Sequence, residues 1–240
     1  MPPYEERTYR SLIKNDHLIS YNVKISESDL FIRSDTDLSD QAFQSLANHR
    51  HSLQIYIQNH SDFRTSLLPV DEDHLAPAIV RDMIDKSKIC GVGPMAGVAG
   101  AISEFVGRDL LSSTKNIIIE NGGDIFLQSQ DTLTVSIFAG ESPLSHKVHL
   151  EIKPEETPVG ICTSSASVGP SLSFGSADAV CVLSPSATLA DSAASAIGNR
   201  VKNNSDIKSA LDFGMNIPGI RGIVIICKKE MGIIGSVRLL

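Results

Sequence analysis

The hydrophobic pattern opens with alternation. Residues 17–26 (HLISYNVKIS) alternate apolar and polar side chains, residues 27–29 (ESD) interrupt the pattern, and residues 30–33 resume it. This predicts a β-hairpin. The spacing then lengthens: Ala42, Phe43, Leu46 and Ala47 fall on one face of a helix that should be capped near Ser39. Its end is open, because residues 53–57 (LQIYI) also suit a strand. An acidic loop over 69–74 precedes helical spacing at Ile79, Val80, Met83 and Ile84, within 76–88. The stretch 90–107 (CGVGPMAGVAGAISEFVG) predicts a small-residue helix over 95–106 with Pro94 in its first turn. Strand-like runs follow at 116–120, 125–128, 132–138, 148–153, 159–163 and 177–183, and NGGD at 121–124 is a turn signal between the first two. An Ala-rich helix over 188–201, a shorter helix over 207–213 and a hairpin of 223–227 with 233–239 close the chain. Strands and helices are grouped rather than alternating, so the expected class is α+β, with largely antiparallel sheet layers packed with helices. There is no internal repeat or linker. Residues 1–240 read as one domain, with 1–88 as a candidate N-terminal sub-lobe.

Composition narrows the function classes. A chain of 240 residues can bury a sizeable core without cross-links. Its 21 basic and 28 acidic residues give a net charge of −7, which argues against nucleic acid as a partner. Residues 89–103 are uncharged, but they number only 15 and include four glycines. A membrane span needs roughly 20 apolar residues. The opening MPPYEERTYR carries charges where a secretory segment would be apolar. A cytoplasmic protein without a membrane partner is the expectation. Cys90, Cys162, Cys181 and Cys227 form no CxxC pair, so neither a disulfide framework nor zinc spacing is indicated, and all four should be buried free thiols.

The candidate chemistry centres on a stretch nearly devoid of charge. Residues 157–199 number 43 and carry only Asp178 and Asp191, where 20% of 43 would be about nine. Such a stretch should be buried, and a lone carboxylate in it needs a partner. In TLADSAASAIGN (188–199), Asp191 and Ser195 are four apart and share a helix face, a pair that suits Mg²⁺ or Ca²⁺. Thr188-x-x-Asp191 also fits a helix-capping pattern, so capping stands beside metal binding. Asp124 poses a similar choice. It either solvates the tip of a turn whose Asn121, Gly122 and Gly123 take positive φ, or it faces a ligand together with them. Thr163, Ser164 and Ser165, at the end of an apolar strand, could hold a phosphate or ribose. In the stretch 91–96, GVGPMA fits neither GxGxxG nor GxxxxGK[ST], which leaves helix–sheet packing or a phosphate loop as reasons for Gly97 and Gly100. The seven histidines read as surface or capping groups, and Glu104 and Arg108 as an i, i+4 ion pair.

Three segments together carry a resemblance: NGGDI at 121–125, TSS at 163–165 and LADSAASA at 189–196. In order and type they resemble the N-x-GGDI, TSG and ADALATA motifs of the flavin transferase family, ApbE. The small-residue stretch 91–102 is similar to that family's helix before the first motif. The phrase TSSASVGPSLSFGSADAV resembles a smaller ApbE-like branch of anaerobic bacteria and archaea. The resemblance covers roughly residues 90–200. It implies an α+β layered fold with a flavin nucleotide cleft, and Mg²⁺-dependent splitting of FAD with attachment of FMN to a Thr or Ser of a target protein. The implied metal ligands are Asp191, Ser195 and the carbonyl of Ala99. Departures accompany it. Gly100 stands where a Lys is usual, Pro170 where the smaller branch has His, and Ser165 where the TSG turn has Gly. The reading is therefore binding of an anionic small molecule, FAD or FMN with Mg²⁺ or Ca²⁺, without assured transferase activity. The alternatives are a sulfur-metabolism protein in homocysteine formation, using Cys162, and an assembly partner with the uncharged stretch as a homodimer interface.

Overall fold

A computed structural model describes residues 17–166 and 174–240. The opening alternation forms β1 (Ile19–Ile25) and β2 (Ser28–Ser34), paired antiparallel from Ile19↔Ser34 to Ile25↔Ser28. The interruption is tighter than residues 27–29 suggest: Ser26 takes a φ of 51°, and Ser28 and Asp29 already belong to β2. Helix α1 (Ser39–Asn59) runs through 53–57, because Leu53 and Tyr56 extend the buried stripe of Ala42 and Leu46 at helical spacing. Phe43 is left 52% exposed, off that stripe. Ser39 is not the cap. It is the first helical residue, and its N–H donates to Asp37 Oδ1 at 2.9 Å. A short α2 (Ser61–Thr65) and α3 (Ala78–Cys90) follow, the latter burying Ile79, Val80, Met83 and Ile84. Pro94 opens a 3₁₀ turn that leads into α4 (Val98–Leu110).

The remaining strands are β3 (Ile117–Asn121), β4 (Asp124–Gln128), β5 (Leu133–Ser136), β6 (His149–Ile152), β7 (Val159–Ser164), β8 (Ala179–Ser184), β9 (Gly222–Cys227) and β10 (Glu230–Gly235). Helices α5 (Ala187–Gly198) and α6 (Ile207–Met215) lie between β8 and β9. The closing hairpin is displaced from expectation. Lys228, at a φ of 57°, helps turn the chain, so β10 starts at Glu230 and ends at Gly235, and Leu239 instead bridges to Leu150 on β6.

One antiparallel sheet runs β1-β2-β3-β4-β7-β8-β9-β10, and β5 and β6 form a separate two-stranded sheet. This confirms the α+β class. Two cores flank the large sheet. Ile119, Phe126, Cys162, Val182 and Ile225 pack with the helices on one face. Ile118, Leu127, Ile161, Cys181 and Val224 pack with β5 and β6 on the other. Strands covered on both sides need apolar residues at consecutive positions, which explains runs such as Ile117-Ile118-Ile119. The uncharged stretch supplies β7, β8 and α5, two interior strands of the sheet and a helix that covers them, and these elements are largely buried within the fold. Among the described residues no single helix is long and apolar enough to cross a membrane.

Candidate functional site

Helices α4 and α5 meet at very short range, and their small residues are the reason. A Cβ on Gly100 would lie 2.3 Å from the carbonyl oxygen of Ala187, and one on Gly97 would lie 2.4 Å from Ser192 Oγ. Glycine is thus required by helix-on-helix contact, not by helix–sheet packing or a phosphate loop. The contact brings Asp191 to the start of α4. Gly100 N–H donates to Asp191 Oδ2 at 2.9 Å, and the Ala99 amide also reaches the carboxylate. Asp191 therefore caps a helix, but α4 rather than its own. The cap of α5 is Ser186, whose Oγ accepts from Leu189 N–H at 3.2 Å. Glu104 Oε2 in turn accepts from Ser186 Oγ at 2.9 Å and from Thr188 N–H at 3.2 Å. The other oxygen of Glu104 takes Arg108 at 2.7 Å, the ion pair expected from the i, i+4 spacing.

The β3–β4 turn builds the floor. Gly122 and Gly123 form a two-residue turn with φ of 69° and 105°, which only glycine adopts easily in succession. Asn121 and Asp124 are paired strand residues on either side. Asn121 therefore does not take positive φ, and Asp124, 7% exposed, does not solvate a tip. The Asn121 Nδ2 donates to the carbonyl of Ala99 at 3.2 Å, and Asp124 Oδ1 accepts from the Thr163 amide at 3.3 Å. Cys162 Sγ reaches the Ala187 carbonyl at 3.3 Å and also the Asp124 carboxyl.

The fold thus gathers Ala99, Asn121, Asp124 and Asp191, with Ser195 half-buried one turn beyond Asp191 on α5. It disperses others. Thr163 and Ser164 are the last residues of β7 rather than a turn. Register places the Thr163 side chain beside Cys181 on the far face of the sheet, so only its backbone joins the site. Ser164 lies under the end of α5, its Oγ 3.5 Å from where a Gly198 Cβ would sit. Gly123 turns its N–H onto Glu120 Oε1 at 2.7 Å. Pro170 lies outside the described residues. No sequence motif marks Cys90, which joins the neighbourhood of Asp191 only because α3 ends there.

The electrostatics are those of opposed carboxylates in a dry place. Burial pushes Asp191 up to about 7, although the Gly100 and Ala99 amides pull the other way. Burial, then the charge of Asp191, pushes Asp124 well above the usual carboxylate range. Burial drives the Cys162 thiol up, and it drives Cys90 up to about 12 with help from Asp191. Among the described residues no Lys, Arg or His stands among the groups that lower the pKa of either carboxylate. Four of the seven histidines are engaged elsewhere: His49 bonds Asp109, His60 stacks on Tyr56, His149 bonds Ser136 and His146 stacks on Phe138. Among the described residues no three His, Cys, Asp or Glu side chains converge to hold a metal, so no soft or zinc-type centre is formed. The groups gathered here are oxygen donors: the two carboxylates and the Ala99 carbonyl, with the Ser195 hydroxyl one turn along α5. That set fits a hard divalent cation whose remaining positions a ligand's phosphates would fill.

The fold defines the class. It matches the apo flavinyl transferase ApbE of Pseudomonas stutzeri with a TM-score of 0.59 at 12% identity, covering 92% of this chain and 94% of that one. It matches the flavin transferase ApbE of Vibrio cholerae with a TM-score of 0.57 at 11% identity, covering 91% and 97%. The family model described as AbpE bacteria matches residues 10–238, and the chain belongs to that family. It is also similar to a UPF0280 protein of Methanobrevibacter smithii, 42% identical over 214 residues, covering 85% of this chain and 89% of that protein. A UPF0280 protein of Methanocaldococcus jannaschii is 39% identical over 219 residues, covering 89% of both.

Proposed function

We propose that this protein binds a flavin nucleotide, FAD or FMN, through a divalent cation, Mg²⁺ or Ca²⁺, held by Asp191, Ser195 and the carbonyl of Ala99. The observation that carries this reading is the pair of buried carboxylates, Asp124 and Asp191, which no cationic side chain among the described residues offsets. A buried charge without a partner is costly, and a bound cation is the partner this donor set fits. Asn121 orients the Ala99 carbonyl, which has a second lone pair for a cation. When bound, the cation would supply Lewis-acid activation of a diphosphate. The protein's own groups would align the phosphates and exclude water.

Transfer of FMN to a protein target is not part of the proposal. Gly100 stands where transferases of the family carry Lys, and a side chain there would collide with Ala187. No histidine stands among the described groups that act on Asp124 or Asp191, and His49, His60, His146 and His149 are engaged elsewhere, so no general base is at hand there. A sulfur-chemistry role for Cys162 is disfavoured by its burial, which raises its pKa and keeps the thiol protonated. The test is twofold. Thermal-shift titration with FAD should show stabilisation only when Mg²⁺ is present. Incubation with FAD, Mg²⁺ and a Thr-containing target peptide should leave the peptide mass unchanged. A Mg²⁺-independent response, or an FMN adduct on the peptide, would overturn the corresponding half.

A further inference from the structure

The large sheet ends at β10, and that edge is open. Cys227 and Glu230 close a two-residue turn, so Glu230, Gly232 and Ile234 exchange backbone hydrogen bonds with β9, while Met231 and Ile233 turn their N–H and C=O groups outward. Among the described residues no backbone group takes up those outward bonds. Edge strands are usually guarded by a charge, a proline or a covering element. Residues 231–237 (MGIIGSV) contain neither charge nor proline. They add apolar surface instead: Met231 is 38% exposed and Ile233 37%, both on the sheet face of their β9 neighbours Ile226 and Val224.

Helix α6 lies over this edge. A Cβ on Gly232 would lie 2.4 Å from Ile207 Cγ2 and 2.9 Å from Leu211 Cδ1, whereas one on Gly214 would meet Ile223 of β9 and Ile197 of α5. With Ile207 and Leu211 above β10 and Gly214 turned toward α5, helical spacing places Lys208 and Asp212 on the side of α6 that overlooks the open edge. Both are exposed, and neither forms an ion pair among the described residues.

A second copy of the chain fits these features. Antiparallel pairing must match outward-facing residues with outward-facing residues. A register centred on Gly232 does so and sets Met231 of each copy opposite Ile233 of the other. Lys229 then stands opposite Gly235 and Lys228 opposite Ser236, so no like charges meet. Centring on Ile233 would instead set Lys228 against Arg238. The twofold axis of the Gly232 register is perpendicular to the sheet and keeps both α6 helices on one face. Helix α6 touches both β9 and β10. With strands about 4.8 Å apart, the two α6 axes fall roughly 10 Å from each other, the spacing of packed helices. They run antiparallel, so Lys208 of each copy meets Asp212 of the other. A second copy is favoured over an unrelated strand because the surface is complementary to itself, with an apolar pair and opposite charges that exchange partners across the axis.

We propose that the protein forms a homodimer by antiparallel β10–β10 pairing centred on Gly232, braced across the twofold axis by Lys208–Asp212 ion pairs between the two α6 helices. This interface shares no residue with the carboxylate site and stands whether or not a nucleotide binds there.

The experiment is sedimentation equilibrium of the full chain from about 1 µM to about 100 µM. It compares wild type, Ile233→Lys, Lys208→Glu, Asp212→Lys and the double variant Lys208→Glu with Asp212→Lys. Wild type should approach twice the single-chain mass at the upper end. Ile233→Lys places two charges in the apolar pair and should keep the single-chain mass throughout. Each single change on α6 brings like charges together at both symmetric contacts and should weaken association about tenfold. The double variant restores opposite charges and should return to within about twofold of wild type. The α6 changes lie on the exposed side of a helix, so they report on the interface independently of how the strand tolerates Ile233→Lys. A single-chain mass for wild type at every concentration overturns the homodimer and leaves the edge to a strand from another protein. Undiminished association of a folded Ile233→Lys variant, or a double variant as weak as the single ones, overturns this edge and register.

Discussion

Replacing Asp191 by Asn should stabilise the metal-free protein at alkaline pH while abolishing its response to Mg²⁺. The carboxyl is 9% exposed, and its pKa rises from 3.8 to about 7 on folding. The folded state therefore holds the proton more tightly than the unfolded chain does. Stability from this group is fully present below about pH 4 and is lost as pH rises through 7. At pH 8 the ionised form costs on the order of 4 kcal/mol relative to its protonated form. Asn removes that cost and keeps an oxygen to accept the Gly100 amide. The amide nitrogen of Asn cannot accept from the Ala99 N–H as the second carboxylate oxygen does, which takes back part of the gain, so about 2–4 kcal/mol should appear. For a chain of this size each kcal/mol shifts the melting temperature by about 2–4 °C, which predicts a rise of about 5–15 °C. The assay is thermal unfolding with chelator present, at pH 8 and at pH 4.5, where most of the difference should vanish. With FAD and Mg²⁺ at about 100 times Kd, wild type should gain about 2.7 kcal/mol and the variant nothing. A variant that melts below wild type at pH 8, or that keeps the Mg²⁺ response, would refute the reasoning and leave Asp191 as a charged cap of α4.

Further outcomes follow from the same contacts. Ser195→Ala should leave metal-free stability within about 0.5 kcal/mol of wild type and abolish Mg²⁺-dependent stabilisation in the same titration. Gly100→Ala should destabilise by several kcal/mol in urea unfolding, because its Cβ would sit 2.3 Å from a backbone oxygen of α5; Gly100→Lys should fail to restore transfer for the same reason. Glu104→Gln should cost about 1–3 kcal/mol by chemical denaturation, since Glu104 joins Arg108 to the cap of α5. Cys162 should alkylate far more slowly than a small free thiol at neutral pH and react only on unfolding, as mass spectrometry of labelled peptides would show.

Much of this molecule is written in local pattern. Alternation at 17–33, helical spacing at Ile79, Val80, Met83 and Ile84, and the double glycine after Asn121 each specify an element through a period or a backbone conformation that needs only near neighbours. The lack of charge over 157–199 likewise signals the burial found in β7, β8 and α5, because ionised side chains cannot be left dry and unpaired. Where local signals compete, the pattern is silent. The segment 53–57 is helix because the buried stripe of α1 continues through it.

The site itself belongs to the tertiary structure. Asp191 and Gly100 are 91 positions apart, and only the close packing of α4 on α5 turns that carboxylate into a cap of the other helix. Strand register decided that Cys162 faces Asp124 while the side chain of Thr163, the next residue, faces the opposite core, since successive residues of a strand point to opposite sides. The raised pKa values of Asp124 and Asp191 come from the same source. They depend on how much water each carboxyl loses and on which other charge it meets, and both quantities exist only once distant segments have packed together.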